Sequence, residues 1–143
     1  MGIIFDSCIW LGIASGQIDR DTIKKLVGPK SVFTSVISIG ELRFGIESCA
    51  DPASRAVRAA YLRQIESRPV LTVTSDTATA FGILAAAVRH SGRSPRPRYN
   101  DLWLAAQAIE HGYSLMTLNT SDFSDLPGLQ IVSIPIMTKI KNA

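Results

Sequence analysis

Cysteine is scarce in this 143-residue chain: Cys8 and Cys49 are the only two, and they form no CxxC pair. Two isolated thiols exclude a four-cysteine zinc site and give no disulfide framework, so a reducing, cytoplasmic setting is expected. Long apolar runs are also missing. No stretch approaches the ~18 residues that would cross a membrane. The first residues lack the basic segment and apolar stretch of a secretory leader. Asp6 stands where a myristoylation signal carries Ser or Thr. Charged residues make up only 19%, against 46% hydrophobic, which argues against disorder and for a real core. There is no internal repeat and no low-complexity linker. The expectation is a single domain over residues 1–143.

Acids are in short supply: 12 against 15 lysines and arginines, for a net charge of +3. The excess is local. Residues 89–100 hold Arg89, Arg93, Arg96 and Arg98 with no acid, and residues 55–68 hold four arginines against Glu66 alone. Such patches fit a polyanionic partner, or merely a solubilising surface.

Hydrophobic patterning gives alternating strands and helices. Strands are predicted over residues 2–5, 31–34, 69–73 and 114–117, with a fifth over 130–134. Helices are predicted from Asp6 or Ser7 through Leu11, from Asp19 to Val27, over 36–47 and over 52–67. Two more run from a Ser75 cap through Val88, and over 101–111 with an Asn100 cap. Asp51-Pro52 starts one helix and Gly112 ends another. This alternation implies a parallel sheet covered by helices on both faces, with ligands beyond the carboxyl ends of the strands.

Four acids occupy unusual places. Asp6 ends the first strand, where helix capping is the alternative role. Glu41 lies in VISIGELRFGI (36–46), whose apolar positions go nearly round the helix. That helix is therefore expected to be largely buried, and a buried carboxylate needs a partner. Arg43 points elsewhere, and a narrow exposed strip is the alternative. Asp101 opens a nearly apolar helix, where the helix dipole also favours an acid. Asp122 follows the fourth strand, where a turn cap is the plainer reading. Taken together, a parallel sheet can bring all four to one edge. Clustered carboxylates repel and partly protonate unless a cation neutralises them, and oxygen ligands alone suit Mg²⁺ or Mn²⁺. With those four of the 12 acids neutralised, eight acids face 15 basic residues. An acidic, metal-filled pit in a basic surface suits a phosphodiester polyanion.

Asp6-Ser7, ISIGELRFGI (37–46), NDLWLAAQAIEHGYSLMTLN (100–119) and NTSDFSDLPGLQIV (119–132) together resemble the PIN domain, and within it the VapC-like toxins. The resemblance spans essentially the whole chain. It implies a three-layer α/β/α sandwich with a four- or five-stranded parallel sheet and Mg²⁺- or Mn²⁺-dependent ribonuclease activity. The acids carried over are Asp6, Glu41, Asp101 and Asp122, supported by Ser7, Thr117 and Asn119. It also implies a homodimer and a small VapB-like antitoxin partner, with no membrane. One departure is visible: relatives commonly carry Asn where this chain has Cys8, and a thiol orients acids less well than an amide.

The leading expectation is an RNA endonuclease toxin. Asp6, Glu41 and Asp101 would be inner ligands, Asp122 would serve a second ion or the attacking water, and Arg93, Arg96 and Arg98 would meet RNA phosphates. A non-catalytic RNA- or protein-binding module is the alternative. A phosphatase of another α/β fold with an Asp nucleophile is a third class, weakened because Cys8 replaces the second acid of a DxD pair. Residues 19–27 and 52–67 are expected to supply dimer or antitoxin surface.

Overall fold

Gly2–Phe5 forms β1, a strand buried along its whole length, as its apolar run requires. The computed structural model describes residues 1–135, and residues 136–143 of the expected unit lie outside them. β1 is followed by α1 (Ser7–Ser15), α2 (Arg20–Val27), β2 (Ser31–Ser35), α3 (Val36–Glu47) and α4 (Pro52–Glu66). Then come β3 (Val70–Leu71), α5 (Ser75–His90), α6 (Tyr99–His111), β4 (Ser114–Met116) and β5 (Ile131–Val132). The strands lie in the order β3-β2-β1-β4-β5, and every pairing is parallel. β1 is therefore central: the chain builds outward to one side through β2 and β3, then returns to the other through β4 and β5. The point where strand order reverses lies between β1 and β4, where a crevice opens beyond the strand ends.

Alternation along β1 assigns the layers. Ile3 and Phe5 join Ile9, Trp10, Ile23, Leu42, Ile46, Leu62 and Ile65 on one face, which α1 to α4 cover. Ile4 joins Leu84, Val88, Leu102, Leu104 and Leu115 on the other, under α5 and α6. The expected α/β/α sandwich with a parallel sheet is the fold observed, with five strands. A buried Leu or Ile contributes about 1.5–3 kcal/mol, so the two apolar faces dominate the stability.

Several ends are set by side chains the sequence already exposes. Asp19 caps α2 by accepting from Thr22 N at 3.1 Å, and Asp51 caps α4 by accepting from Ser54 N at 2.9 Å, with Pro52 in the first turn. Gly112 ends α6 at φ 71°, a backbone conformation that side chains rarely adopt. Other ends differ from expectation. Thr74, not Ser75, caps α5 through a reciprocal box with Thr77, and Glu110 of α6 accepts from both hydroxyls at 3.0 and 2.5 Å. α6 begins at Tyr99 rather than after Asn100, because a short 3-10 turn (Arg96–Arg98) runs directly into it and leaves no side-chain cap. β3 and β5 are two residues each; short edge strands limit unwanted pairing.

α3 is the largest correction. Its apolar residues predicted burial nearly all round, but only Ser38, Leu42 and Ile46 are buried, and Phe44 is 73% exposed. One side of the helix packs against β2, α1 and α4, and the opposite side, with Phe44, meets solvent.

Candidate active site at the carboxyl end of the sheet

Asp6 leaves β1 in an extended conformation (φ −66°, ψ 158°) and is 6% exposed. Its Oδ1 accepts from Ser7 N at 2.7 Å, so it does cap α1. Its Oδ2 accepts from Thr117 Oγ1 at 2.8 Å. Thr117 is fully buried and directly follows β4, across the crevice where strand order reverses. The Thr117 hydroxyl in turn accepts from Asn119 N at 3.1 Å. Capping and site positioning are thus one arrangement, with two donors fixing both oxygens and aiming the carboxylate past the end of the sheet.

Cys8 joins this network. Its Sγ lies 3.6 Å from Asp6 Oδ2 and accepts from Leu118 N at 3.4 Å. Burial, then the Asp6 charge, push the thiol pKa up, so it stays protonated and donates to Asp6. A protonated thiol in this position supplies a donor and is a poor redox nucleophile.

Glu41 and Asp101 feel the charge of Asp6, and Asp101 also feels that of Asp122. Glu41, on α3, is half-buried; burial, then the charges of Asp6 and Asp101, push its pKa up, while the Ser7 hydroxyl opposes the shift. Asp101, in the first turn of α6, is also half-buried, and its pKa is pushed up to about 6. The causes are burial first, then Asp6 and Asp122, with Arg98 opposing. Asp122 closes a short 3-10 helix (Thr120–Asp122) after β4 and is exposed. Asp101 thus links the acids, coupled to Asp6, Glu41 and Asp122. Arg43 pairs with Glu47 at 3.7 Å and leaves Glu41 unneutralised.

The arginines differ from expectation. Arg98 is not a free phosphate contact: its side chain is 17% exposed and is held by Asp125 at 3.0 and 3.2 Å. Arg93 also pairs with Asp125. Only Arg96 of the three has no ion pair among the described residues. Asp125 was not singled out from sequence, nor was Gln107. The fully buried Gln107 accepts from Ser35 Oγ and donates to Leu71 O at 3.2 Å, joining α6 to the ends of β2 and β3. The available signal was an amide inside the apolar run LWLAAQAI.

The PIN domain model matches residues 3–129. The chain belongs to the PIN-domain family. It is 33% identical to Ribonuclease VapC5 of Mycobacterium tuberculosis over 92% of both chains, and 26% identical to Ribonuclease VapC4 of the same organism over 90% of this chain and 94% of that one. Among solved structures it resembles VapBC-5 from Mycobacterium tuberculosis, a member of the VapBC family of toxin–antitoxin systems. That match has a TM-score of 0.73 and 28% identity, covering 95% of this chain and 100% of that one. The fold is also that of VapBC2 from Rickettsia felis: TM-score 0.80, 19% identity, and coverage of 94% and 100%. Membership in the PIN family sets aside the phosphatase of another fold.

The donor chemistry of this PIN domain fits a hard divalent cation. Glu41 and Asp101 both have their pKa pushed up, by burial and then by neighbouring carboxylates, with only the Ser7 hydroxyl opposing at Glu41 and Arg98 at Asp101. Among the described residues no three such side chains yet converge at ligating distance.

Proposed function

We propose that this PIN domain is a metal-dependent endoribonuclease acting as the toxin of a toxin–antitoxin pair. The observation that carries the reading is the half-buried pair Glu41 and Asp101, both pushed up in pKa beside the buried, doubly hydrogen-bonded Asp6 at the carboxyl end of the sheet. Its likeness to Ribonuclease VapC5 supports the substrate class. Asp6, Glu41 and Asp101 would hold Mg²⁺ or Mn²⁺, and the more exposed Asp122 would hold a second ion or orient the attacking water. When bound, such an ion lowers the pKa of water and polarises a phosphoryl oxygen. Thr117, Ser7 and Cys8 keep the Asp6 carboxylate oriented, and Asn119 secures Thr117. Arg96, the one of these three arginines without an ion pair among the described residues, would meet an RNA phosphate.

A direct test incubates a short single-stranded RNA with purified protein, with Mn²⁺ or with chelator. Internal cleavage with Mn²⁺, and none with chelator, is expected. Undiminished RNA binding in chelator, with no cleavage under any condition, would establish the non-catalytic module instead.

The partner reading has a physical seat. A cavity of about 580 Å³ opens between α1, α2 and α4, and α2 and α4 are the segments expected to supply partner surface. Phe5, Trp10 and Ile65 line it, with Arg20, Lys24 and Arg68 among its walls. Apolar lining with cationic walls suits an apolar antitoxin segment that carries acids. Reversing Lys24 and Arg68 to Glu should weaken binding of the small VapB-like antitoxin at least about tenfold, since truncating hot-spot contacts costs 2 kcal/mol or more. An unchanged dissociation constant places the antitoxin elsewhere. A homodimer completes the proposed assembly.

A further inference from the structure

A carboxylate outside the four-acid cluster holds the most connected charges near it. Asp125 accepts from Arg98 fork-on-fork, Oδ1 from Nη2 at 3.0 Å and Oδ2 from Nη1 at 3.2 Å, and also pairs with Arg93. The same Arg98 Nη2 donates to the backbone carbonyl of Asp122. Arg98 precedes Asp101 by three residues, so one guanidinium ties the start of α6 to the segment carrying Asp122. An exposed ion pair does little, but a bidentate pair at 17% and 33% exposure, extended by a second arginine, is the geometry that fixes position. The segment bearing Asp125 is itself anchored: Phe123 and Leu126 are 1% and 5% exposed in the core under α5 and α6.

We propose that Asp125 is a positioning residue that, through Arg98, fixes the spacing between Asp122 and Asp101. Asp125 touches neither substrate nor ion. It holds the guanidinium, the guanidinium holds the Asp122 carbonyl, and the short 3-10 helix cannot then drift from α6. Arg93, 53% exposed on its side chain, is the outer member of the clamp. This inference rests on the metal-dependent nuclease reading.

The test compares wild type with Asp125→Asn, Asp125→Glu and Arg98→Lys. It measures melting temperature, Mn²⁺ dissociation constant in RNA-free protein, and kcat and KM on a short RNA. Loss of a partner that orients a ligand costs roughly ten- to a hundredfold in affinity or activity. Asp125→Asn and Arg98→Lys should therefore lower kcat and weaken Mn²⁺ by about tenfold or more, with KM within about twofold. Asp125→Glu, which keeps the carboxylate, should recover most of both. A folded Asp125→Asn protein with wild-type Mn²⁺ affinity and kcat overturns the inference. So does a loss confined to KM, or one that Asp125→Glu fails to restore. If wild type itself binds no Mn²⁺, the nuclease reading fails first, which separates the two failures.

Discussion

Asp101→Asn should nearly abolish RNA cleavage and at the same time make the metal-free protein more stable at neutral pH. The two effects share one cause. Asp101 is half-buried beside Asp6 and Asp122, and its pKa is pushed from 3.8 to about 6. Between those values the folded protein keeps a proton that the unfolded chain has released. Stability contributed at this position is therefore greatest at low pH, falls as pH rises through the window, and is lowest above about 6. A shift of that size corresponds to at most about 3 kcal/mol. Solvent screening of a half-exposed group brings this to on the order of 1 kcal/mol. Replacing the acid with its neutral isostere should raise the melting temperature in chelator by about 2–5 °C at pH 7.5. The gain should vanish as pH falls below 3.8, where Asp101 is protonated in both the folded and the unfolded chain. With Mn²⁺ added, wild type should gain stability by mass action while Asp101→Asn gains far less. Cleavage should fall by about two orders of magnitude or more. A variant that cuts RNA at the wild-type rate, or melts lower than wild type in chelator at pH 7.5, contradicts this account of Asp101.

The same residues show which features the sequence carries openly. Asp6 could be placed at a strand end because Ile3-Ile4-Phe5 is too short for a helix and too apolar for a loop. Asp19, Asp51 and Gly112 could be placed because capping is local chemistry, decided within three or four residues. The four acids could be grouped because strand-helix alternation forces the strand ends to one edge. What was hidden depends on contacts distant in sequence. Thr117 meets Asp6 across 111 positions, and no local pattern reveals that one is buried against the other. The four arginines of residues 89–100 look alike, yet Arg98 turns inward because Asp125 and the Asp122 carbonyl lie beside it. The α3 helix is equally opaque. Its apolar residues lie all round, but which side is covered depends on packing against β2, α1 and α4. Phe44 is left exposed there, one turn from Glu41.

Gln107→Leu should be among the most destabilising single changes in the chain, because it breaks a junction rather than a surface contact. The Gln107 side chain is fully buried on α6, between neighbours that are themselves buried (Leu104, Ala105, Ala106 and Ala108). Its Oε1 accepts from Ser35 Oγ, and its Nε2 donates to Leu71 O at the end of β3. Ser35 Oγ also accepts from Ile37 N at 3.0 Å and so caps α3, the helix that carries Glu41. One amide therefore ties the helix of Asp101 to the cap of the helix of Glu41 and to an edge strand only two residues long. Leucine fills a similar volume but leaves the Ser35 hydroxyl proton and the Leu71 carbonyl without their partner. Each unsatisfied buried group costs about 1–3 kcal/mol, so a total loss of about 2–4 kcal/mol is expected, lowering the melting temperature by roughly 5–15 °C. Ser35→Ala removes one bond and a cap, and should cost about 1–2 kcal/mol. The pair should be non-additive: once Gln107 is gone, removing the orphaned hydroxyl relieves part of the penalty, and the double variant should recover about 1 kcal/mol relative to the sum. Strict additivity in a denaturant-melt cycle contradicts the shared bond. A Gln107→Leu loss below about 1 kcal/mol would mean that apolar packing offsets the amide, leaving orientation of the two acid-bearing helices as its remaining role. That role is read by the Mn²⁺ affinity of the folded variant, which should fall because α3 and α6 carry the proposed ligands Glu41 and Asp101.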